Sequence, residues 1–307
     1  MNKPLCYTTI ILIVITAFLL TLNREAIFTN SGEIIDTQTV NITSLDELNK
    51  LFNKLQYTTE NWKDSDRDIP RIIIDKVNEN WPNTSSALPV TTKKSIFFRL
   101  MMPLILVANE NILREREIVQ NASLDSKHLT DLAFKYTVIK EPQAKLTQAD
   151  RHTLLTRVDT FPTSVALAQA AEESGWATSR FALQGNAFFG LWDFTGNGMK
   201  PKQQRQELGN YGVARFDNPL ASVEAYMLNI NTHQAYSQLR LLRAQKRSNN
   251  ERITGNQFAS KLDKYSERGQ AYVQGIQQII RYNNLESTDG LSLDNSKEIH
   301  LFTAIRP

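Results

Sequence analysis

The longest charge-free stretch of the chain follows Lys3; its apolar part runs for 19 residues, from Pro4 to Leu22, and Asn23 separates it from Arg24. A run of that length crosses a hydrocarbon core of roughly 30 Å as a helix. No clean small-x-small cleavage site comes after it, so the pattern predicts an uncleaved signal anchor, with a cleaved signal peptide as the alternative. Either reading exports the remainder. Residues 23–43 are polar and mixed and read as a tether.

Helical periods dominate the chain from residue 44 onward. Ser44 and Glu47 form a capping box, and Leu45, Leu48, Leu51, Phe52 and Leu55 recur on one face. "IPRIIIDKVNENWP" is ambiguous between strand and helix. "KKSIFFRLMMPLILVANENILRERE" predicts a buried helix kinked near Pro103, in which Arg99 argues against a second membrane span. Further helices are predicted over 124–136 and 148–158, the second capped by Thr147. A small-residue helix comes next, and then the helical period disappears where Gly190, Gly196, Gly198, Gly209 and Gly212 cluster. That density of glycine predicts a small hairpin lobe. Helices resume at Pro219, with Leu220, Val223, Met227 and Ile230 on one face, and end in "GQAYVQGIQQIIRYNN". The pattern predicts a mainly α fold with a small β lobe. It divides into 1–22, the tether, a helical region over 44–140, a chemistry-bearing domain over 141–290 and a tail over 291–307.

Composition alters little. A hydrophobic share of 41% over 307 residues supports a substantial core, and a net charge of +3 is too weak to argue for a nucleic-acid partner. Cys6 is the only cysteine and lies in the apolar segment, so the exported part has no internal disulfide. His128, His152, His233 and His300 lack metal-ligand spacing, and no metal is expected. Arg240, Arg243, Lys246 and Arg247 form a basic helical run that reads as a solvated face.

One segment carries candidate chemistry. In "ALAQAAEESGW", Ala166, Ala168, Ala170 and Ala171 lead into Glu172 and Glu173, and such small residues let neighbours pack close to a central helix. Glu173 continues the line of Ala166 and Ala170, whereas Glu172 lies about 100° away around the axis. Chemistry is therefore assigned to Glu173 and a supporting or solvent-facing role to Glu172. A carboxylate in the last turn meets the negative end of the helix dipole, and Trp176 offers an apolar wall. Both favour the protonated form that a general acid needs. A pair of ordinary helix-end glutamates fits the spacing equally well. Phe188, Phe189, Trp192, Tyr265 and Tyr272 suit a sugar-binding cleft together, although each alone suits core packing.

"LAQAAEESGW" followed by "NAFFG" resembles the AQA-x-x-ES-x-W and N-x-FG segments of glycoside hydrolase family 73. These are the bacterial N-acetylglucosaminidases that include flagellar muramidase-like hydrolases and several autolysins. "YSERGQAYVQGIQQII" is similar to that family's tyrosine segment, and a longer likeness over residues 90–288 is to a bacterial envelope protein grouped with it. The resemblance implies a lysozyme-like domain with a small β lobe that cleaves the β-1,4 bond after N-acetylglucosamine in peptidoglycan. It implies no cofactor, and a periplasmic or envelope location with the N-terminal segment in the inner membrane. By motif, Glu173 is the general acid and Tyr265 helps stabilise an oxocarbenium-like transition state. Asn186, Phe189 and Gly190 shape the cleft floor, joined in glycan binding by Trp176, Trp192 and Tyr272. Glu172 departs from a usually apolar family position, and Ala177 from one where glycine is frequent. Glycosidases generally pair two carboxylates, and Asp193, Glu207 and Asp217 are the candidates for the second, with helical Glu224 behind them. A substrate-assisted route needs none of these. The alternatives are a lytic transglycosylase using the same acid, or a glycan-binding module without catalysis.

Overall fold

The computed structural model describes residues 37–64, 68–202 and 211–303, together with the backbone of two short antiparallel strands, β1 (Ile27–Phe28) and β2 (Ile34–Ile35). The apolar segment over 4–22, with Cys6, and Glu207 lie outside the described residues.

After strand β3 (Thr37–Ile42), helix α1 (Leu45–Lys54) begins where its cap predicts: Ser44 Oγ accepts from Glu47 N at 3.2 Å. The reciprocal bond is displaced by one residue, because the Glu47 carboxylate accepts from Thr43 N and Oγ1. The ambiguous segment splits into strand β4 (Ile72–Ile74) and the short helix α2 (Trp81–Ser86). Helix α3 (Val90–Asn121) is then the spine of the molecule. Among the described residues it is long and apolar enough to cross a membrane, yet most of its apolar stretch is buried within the protein. Arg99 is satisfied there, donating to Tyr57 O at 3.0 Å with its guanidinium 4.1 Å from the centre of the Phe52 ring. Pro103 lies inside α3 without ending it.

Helices α4 (Lys127–Lys135) and α5 (Gln148–Arg157) come next, α5 opening on a complete Thr147/Asp150 capping box. Helix α6 (Thr163–Ser174), the small-residue helix, is buried along most of its length and packs against α3. The remaining elements are α7 (Arg180–Gly185), strands β5 (Trp192–Asp193) and β6 (Gly212–Val213), α8 (Pro219–Thr232), α9 (Ser237–Ser248), α10 (Gly255–Ala259) and α11 (Gln270–Tyr282). The expected hairpin lobe is the antiparallel β5–β6 pair, extended by a bridge between Met199 and Val213.

Residues expected as a tail do structural work. Strand β7 (Glu298–Thr303) is the centre of a three-stranded parallel sheet in the order β3-β7-β4, burying Ile299 and Leu301. Its alternation of apolar and polar residues is the period of a half-buried strand. Part of the expected tether is likewise strand β3. Just upstream of the tail, the Asp289 carboxylate accepts from Ser164 N at 2.8 Å, Ser164 Oγ at 2.9 Å and Gly255 N at 3.2 Å, capping both α6 and α10. Gly255 is required by the closeness of these helices, since a Cβ there would meet Ser164 Oγ at 1.9 Å. One continuous core runs from Ile42 to Leu301, so residues 44–140 and 141–290 share it.

The basic run on α9 is not the solvated face its charge suggests. Arg240 and Arg243 are only 4% and 3% exposed. Arg240 donates to Ile230 O and His233 O at the end of α8, and Arg243 to Thr156 O, Arg157 O, Asp159 O and Thr160 O around the end of α5. Terminal helix carbonyls lack intrahelical partners, and guanidinium groups supply them.

Candidate active site

Helix α6 ends in an abrupt reversal built from three successive left-handed residues, Gly175, Trp176 and Ala177, with φ of 57°, 61° and 64°. Only the first is glycine, so the turn stores strain at the other two. It is held by Trp176 N donating to Ala171 O at 3.0 Å and by Ala177 N donating to Ser174 Oγ at 2.9 Å. The positive φ of Ala177 gives a physical reason for glycine to be favoured there. The turn also redirects Trp176. Its ring packs edge-on against Phe97 and Phe98 of α3, 5.5 and 5.2 Å away, and its carbonyl accepts from Trp81 Nε1. Trp176, expected as a glycan contact, thus ties α6 to α3 with its ring half-buried between them.

The apolar wall around Glu173 comes from tyrosines. Tyr272, fully buried on α11, hydrogen-bonds the Glu173 carboxyl, and Tyr265 stacks on Tyr272 with ring centres 5.5 Å apart. Burial raises the Glu173 carboxyl above the ordinary carboxylate range, against the hydrogen bond from Tyr272; Glu172 adds to the rise and Arg268 opposes it. Burial and the Glu173 charge in turn push the Tyr236 hydroxyl up to about 12. Glu172 is paired with Arg268 at 2.7 Å.

The "NAFFG" segment passes directly over the acid. A Cβ at Gly190 would sit 3.3 Å from Glu173 Oε2, and φ there is 62°, so backbone geometry and space both call for glycine. Phe189 is buried and stacked on Tyr226 with ring centres 4.0 Å apart, while its carbonyl accepts from Tyr265 OH at 2.7 Å. Its backbone, rather than its ring, faces the site. Asn186 closes α7 in a left-handed conformation and donates to Phe216 O and Asp217 O. Tyr272, also expected as a glycan contact, is fully buried beside Glu173.

Trp192 and Phe194 on the hairpin lobe are 54% and 72% exposed, with Trp192 edge-on to Tyr211 at 4.9 Å. Of the second-acid candidates, Asp193 accepts from Thr195 N at 2.7 Å and is held ionised by the hydrogen bonds of its turn. Asp217 is exposed, and helical Glu224 is bonded to Asn111 of α3. Among the described residues, the carboxylate whose charge acts on Glu173 is Glu172.

Three neighbours of the acid, Gln169, Tyr226 and Arg268, are not among the residues that the sequence singles out. Gln169 lies four residues before Glu173, on the same helical face, as the one polar side chain in "ALAQAA". That isolated polarity is the signal the sequence offers. A cavity of about 690 Å³ lies towards the other end of α6, beside Phe161, Thr163, Arg243 and Asp289, and Glu173 does not line it.

Residues 151–285, which hold Glu173, Gly190, Tyr265 and Tyr272, match the family described as "Glucosaminidase: Mannosyl-glycoprotein endo-beta-N-acetylglucosaminidase". Protein bax of Escherichia coli (strain K12) is 34% identical over 189 residues, a stretch covering 59% of this chain and 66% of that relative. No solved structure gives a significant match. The chain is a Bax-type protein carrying a glucosaminidase domain.

Proposed function

We propose that the chain is a peptidoglycan hydrolase of the bacterial envelope that cleaves the β-1,4 bond after N-acetylglucosamine, with Glu173 as general acid. The observation that carries this reading is a carboxyl buried among tyrosines at the end of the central helix, raised towards the protonated form inside a glucosaminidase domain. The protonated acid gives its proton to the departing glycosidic oxygen as the bond to the anomeric carbon breaks. Tyr265 keeps its hydroxyl proton on Phe189 O, leaving oxygen lone pairs to face the positive charge that develops on the sugar. Trp192 and Phe194 offer apolar faces to neighbouring rings of the glycan.

The second half of the reaction needs something to trap the oxocarbenium-like sugar. Glu172 is bound to Arg268 and Asp193 to its own turn, which favours the substrate-assisted route over either carboxylate. In that route the acetamido oxygen bonds to the anomeric carbon, and water then displaces it while giving a proton to the Glu173 carboxylate. Retention at the anomeric carbon is the expected outcome. The residues at 4–22 would hold the enzyme at the inner membrane.

The test is a digest of purified peptidoglycan by residues 23–307 beside Glu173→Gln, with the released ends identified by mass spectrometry. Reducing N-acetylglucosamine ends that vanish in the variant support the hydrolase. Anhydro-muramic ends would reassign Glu173 to a transglycosylase, and full cleavage by the variant would remove it from the chemistry.

A further inference from the structure

Gln169 is fully buried and bonded at both ends of its amide. Tyr226 OH donates to Oε1 at 2.6 Å, and Nε2 donates to Tyr272 OH at 2.9 Å. Because the Tyr272 oxygen accepts from the amide, its own proton is left for the Glu173 carboxyl, the other group to which it hydrogen-bonds. Two hydrogen bonds, from Tyr226 to Gln169 and from Gln169 to Tyr272, therefore leave the Tyr272 proton directed at Glu173 beside it. Turning the amide over would reverse the relay. Oε1 would then take the Tyr272 proton, and Tyr272 would present a lone pair to the acid. An ionised Glu173 has no proton to offer such a lone pair, so two acceptors would face each other in a buried site, an arrangement that leaves both unsatisfied.

We propose that Gln169 is a positioning residue for the glycosidase reaction: it holds Tyr272 as a donor to one carboxyl oxygen of Glu173 and thereby confines the acid proton to the other. This rests on the reading of Glu173 as the acid. A carboxylic acid carries its proton on one oxygen, and a proton turned towards Tyr272 cannot reach a glycosidic oxygen. Tyr272 as donor excludes that arrangement. The same bond receives the carboxylate once the proton has left, so the relay serves both protonation states. The remaining groups that act on the acid are Glu172 on its own helix and Arg268 ahead of α11, with the hydroxyls of Tyr226, Tyr236 and Tyr265 around it. None of these sets the direction of the Tyr272 proton.

Gln169→Met keeps an unbranched chain of similar volume and removes both hydrogen-bonding groups. In that variant Tyr272 is free to accept from protonated Glu173. The basic limb of the kcat/KM profile is expected to move to higher pH, and the plateau kcat to fall by about tenfold, within the 10²–10⁴-fold contribution of a general acid. Tyr272→Phe is expected to move the limb in the same direction, and the double variant to go no further than Tyr272→Phe. Carboxyl-carbon NMR titration of Glu173 in the same proteins reads the relay without turnover. An unmoved titration in Gln169→Met, or additive shifts in the double variant, would overturn the proposal. Should Gln169→Met fail to fold, Tyr226→Phe frees the amide while keeping the ring, and an unmoved titration there counts equally against it. If the titrations move as expected while no protein releases glycan, the relay stands and the hydrolase reading falls.

Discussion

Two acids of this protein are withdrawn from water and end in opposite states. Asp159 is only 2% exposed, and although burial opposes its charge, Arg243, Arg247 and Arg116 hold its carboxyl below the ordinary range. Glu173 is less enclosed, yet it is raised, because its neighbours are tyrosine hydroxyls and Arg268, the cation that acts on it among the described residues, is shared with Glu172. Burial therefore does not make an acid reactive by itself. What decides is whether cations accompany the acid into the interior.

The largest effects come from removing each charge while keeping its shape. Asp159→Asn leaves buried arginines without their counter-charge and is expected to destabilise the fold by about 3–5 kcal/mol, read by urea denaturation. Glu173→Gln is expected to cost the fold no stability and to lower glycan turnover by about 10²–10⁴-fold. A Glu173→Gln that unfolds as readily as Asp159→Asn would erase the distinction between a structural and a chemical acid.

The opposite shifts also predict opposite pH dependences. Glu173 binds its proton more tightly folded than unfolded, so its contribution to stability is lost as pH rises from its ordinary value of 4.5 through its raised folded value. Asp159 binds its proton less tightly folded, so its contribution is lost as pH falls from 3.8 through its lowered folded value. Thermal melting over pH is expected to show Glu173→Gln gaining on the natural protein as pH rises from mildly acidic to neutral, with the gap closing in acid. A gap that widens in acid would reverse the assignment.

A smaller effect is expected at Gly190. Alanine there meets both a positive φ and the Glu173 Oε2 atom, 3.3 Å from the added carbon. Gly190→Ala is expected to cost about 1–2 kcal/mol of stability and, by displacing the carboxyl, up to about 10²-fold in turnover. An alanine variant with full turnover would show that the acid tolerates movement.

The inward placing of Glu173 is legible in the sequence because a carboxylate on a line of alanines is conspicuous, and the hairpin lobe because five glycines interrupt the helical period. Strand β7 is not, since its partners lie more than 200 residues away and only Ile299 and Leu301 point inward. The course of Trp176 is hidden for a different reason: a bulky residue at positive φ is uncommon, and the turn that redirects its ring is set by backbone geometry. Buried Arg240 and Arg243 look like surface charge because the helix carbonyls that receive them belong to other segments. Local chemistry is readable; partners distant in the chain are not.

The smallest expected effect tests how far a cation beside Glu173 acts as one. Arg268 pairs with Glu172 at 2.7 Å, but about half of its side chain is exposed, and such pairs contribute about 0.2–1 kcal/mol. Its charge lowers the Glu173 carboxyl, and that of Glu172 raises it. Arg268→Gln removes the first effect and frees Glu172, so the basic limb of the rate profile is expected to move to slightly higher pH. Glu172→Gln is expected to move it the other way, and added salt to shrink both movements. Limbs that move together, or not at all, would mean that the exposed pair is screened from the acid. In that case burial among tyrosines would account for the raised carboxyl without help from its charged neighbours, and Glu173 would differ from Asp159 solely in lacking a buried cation.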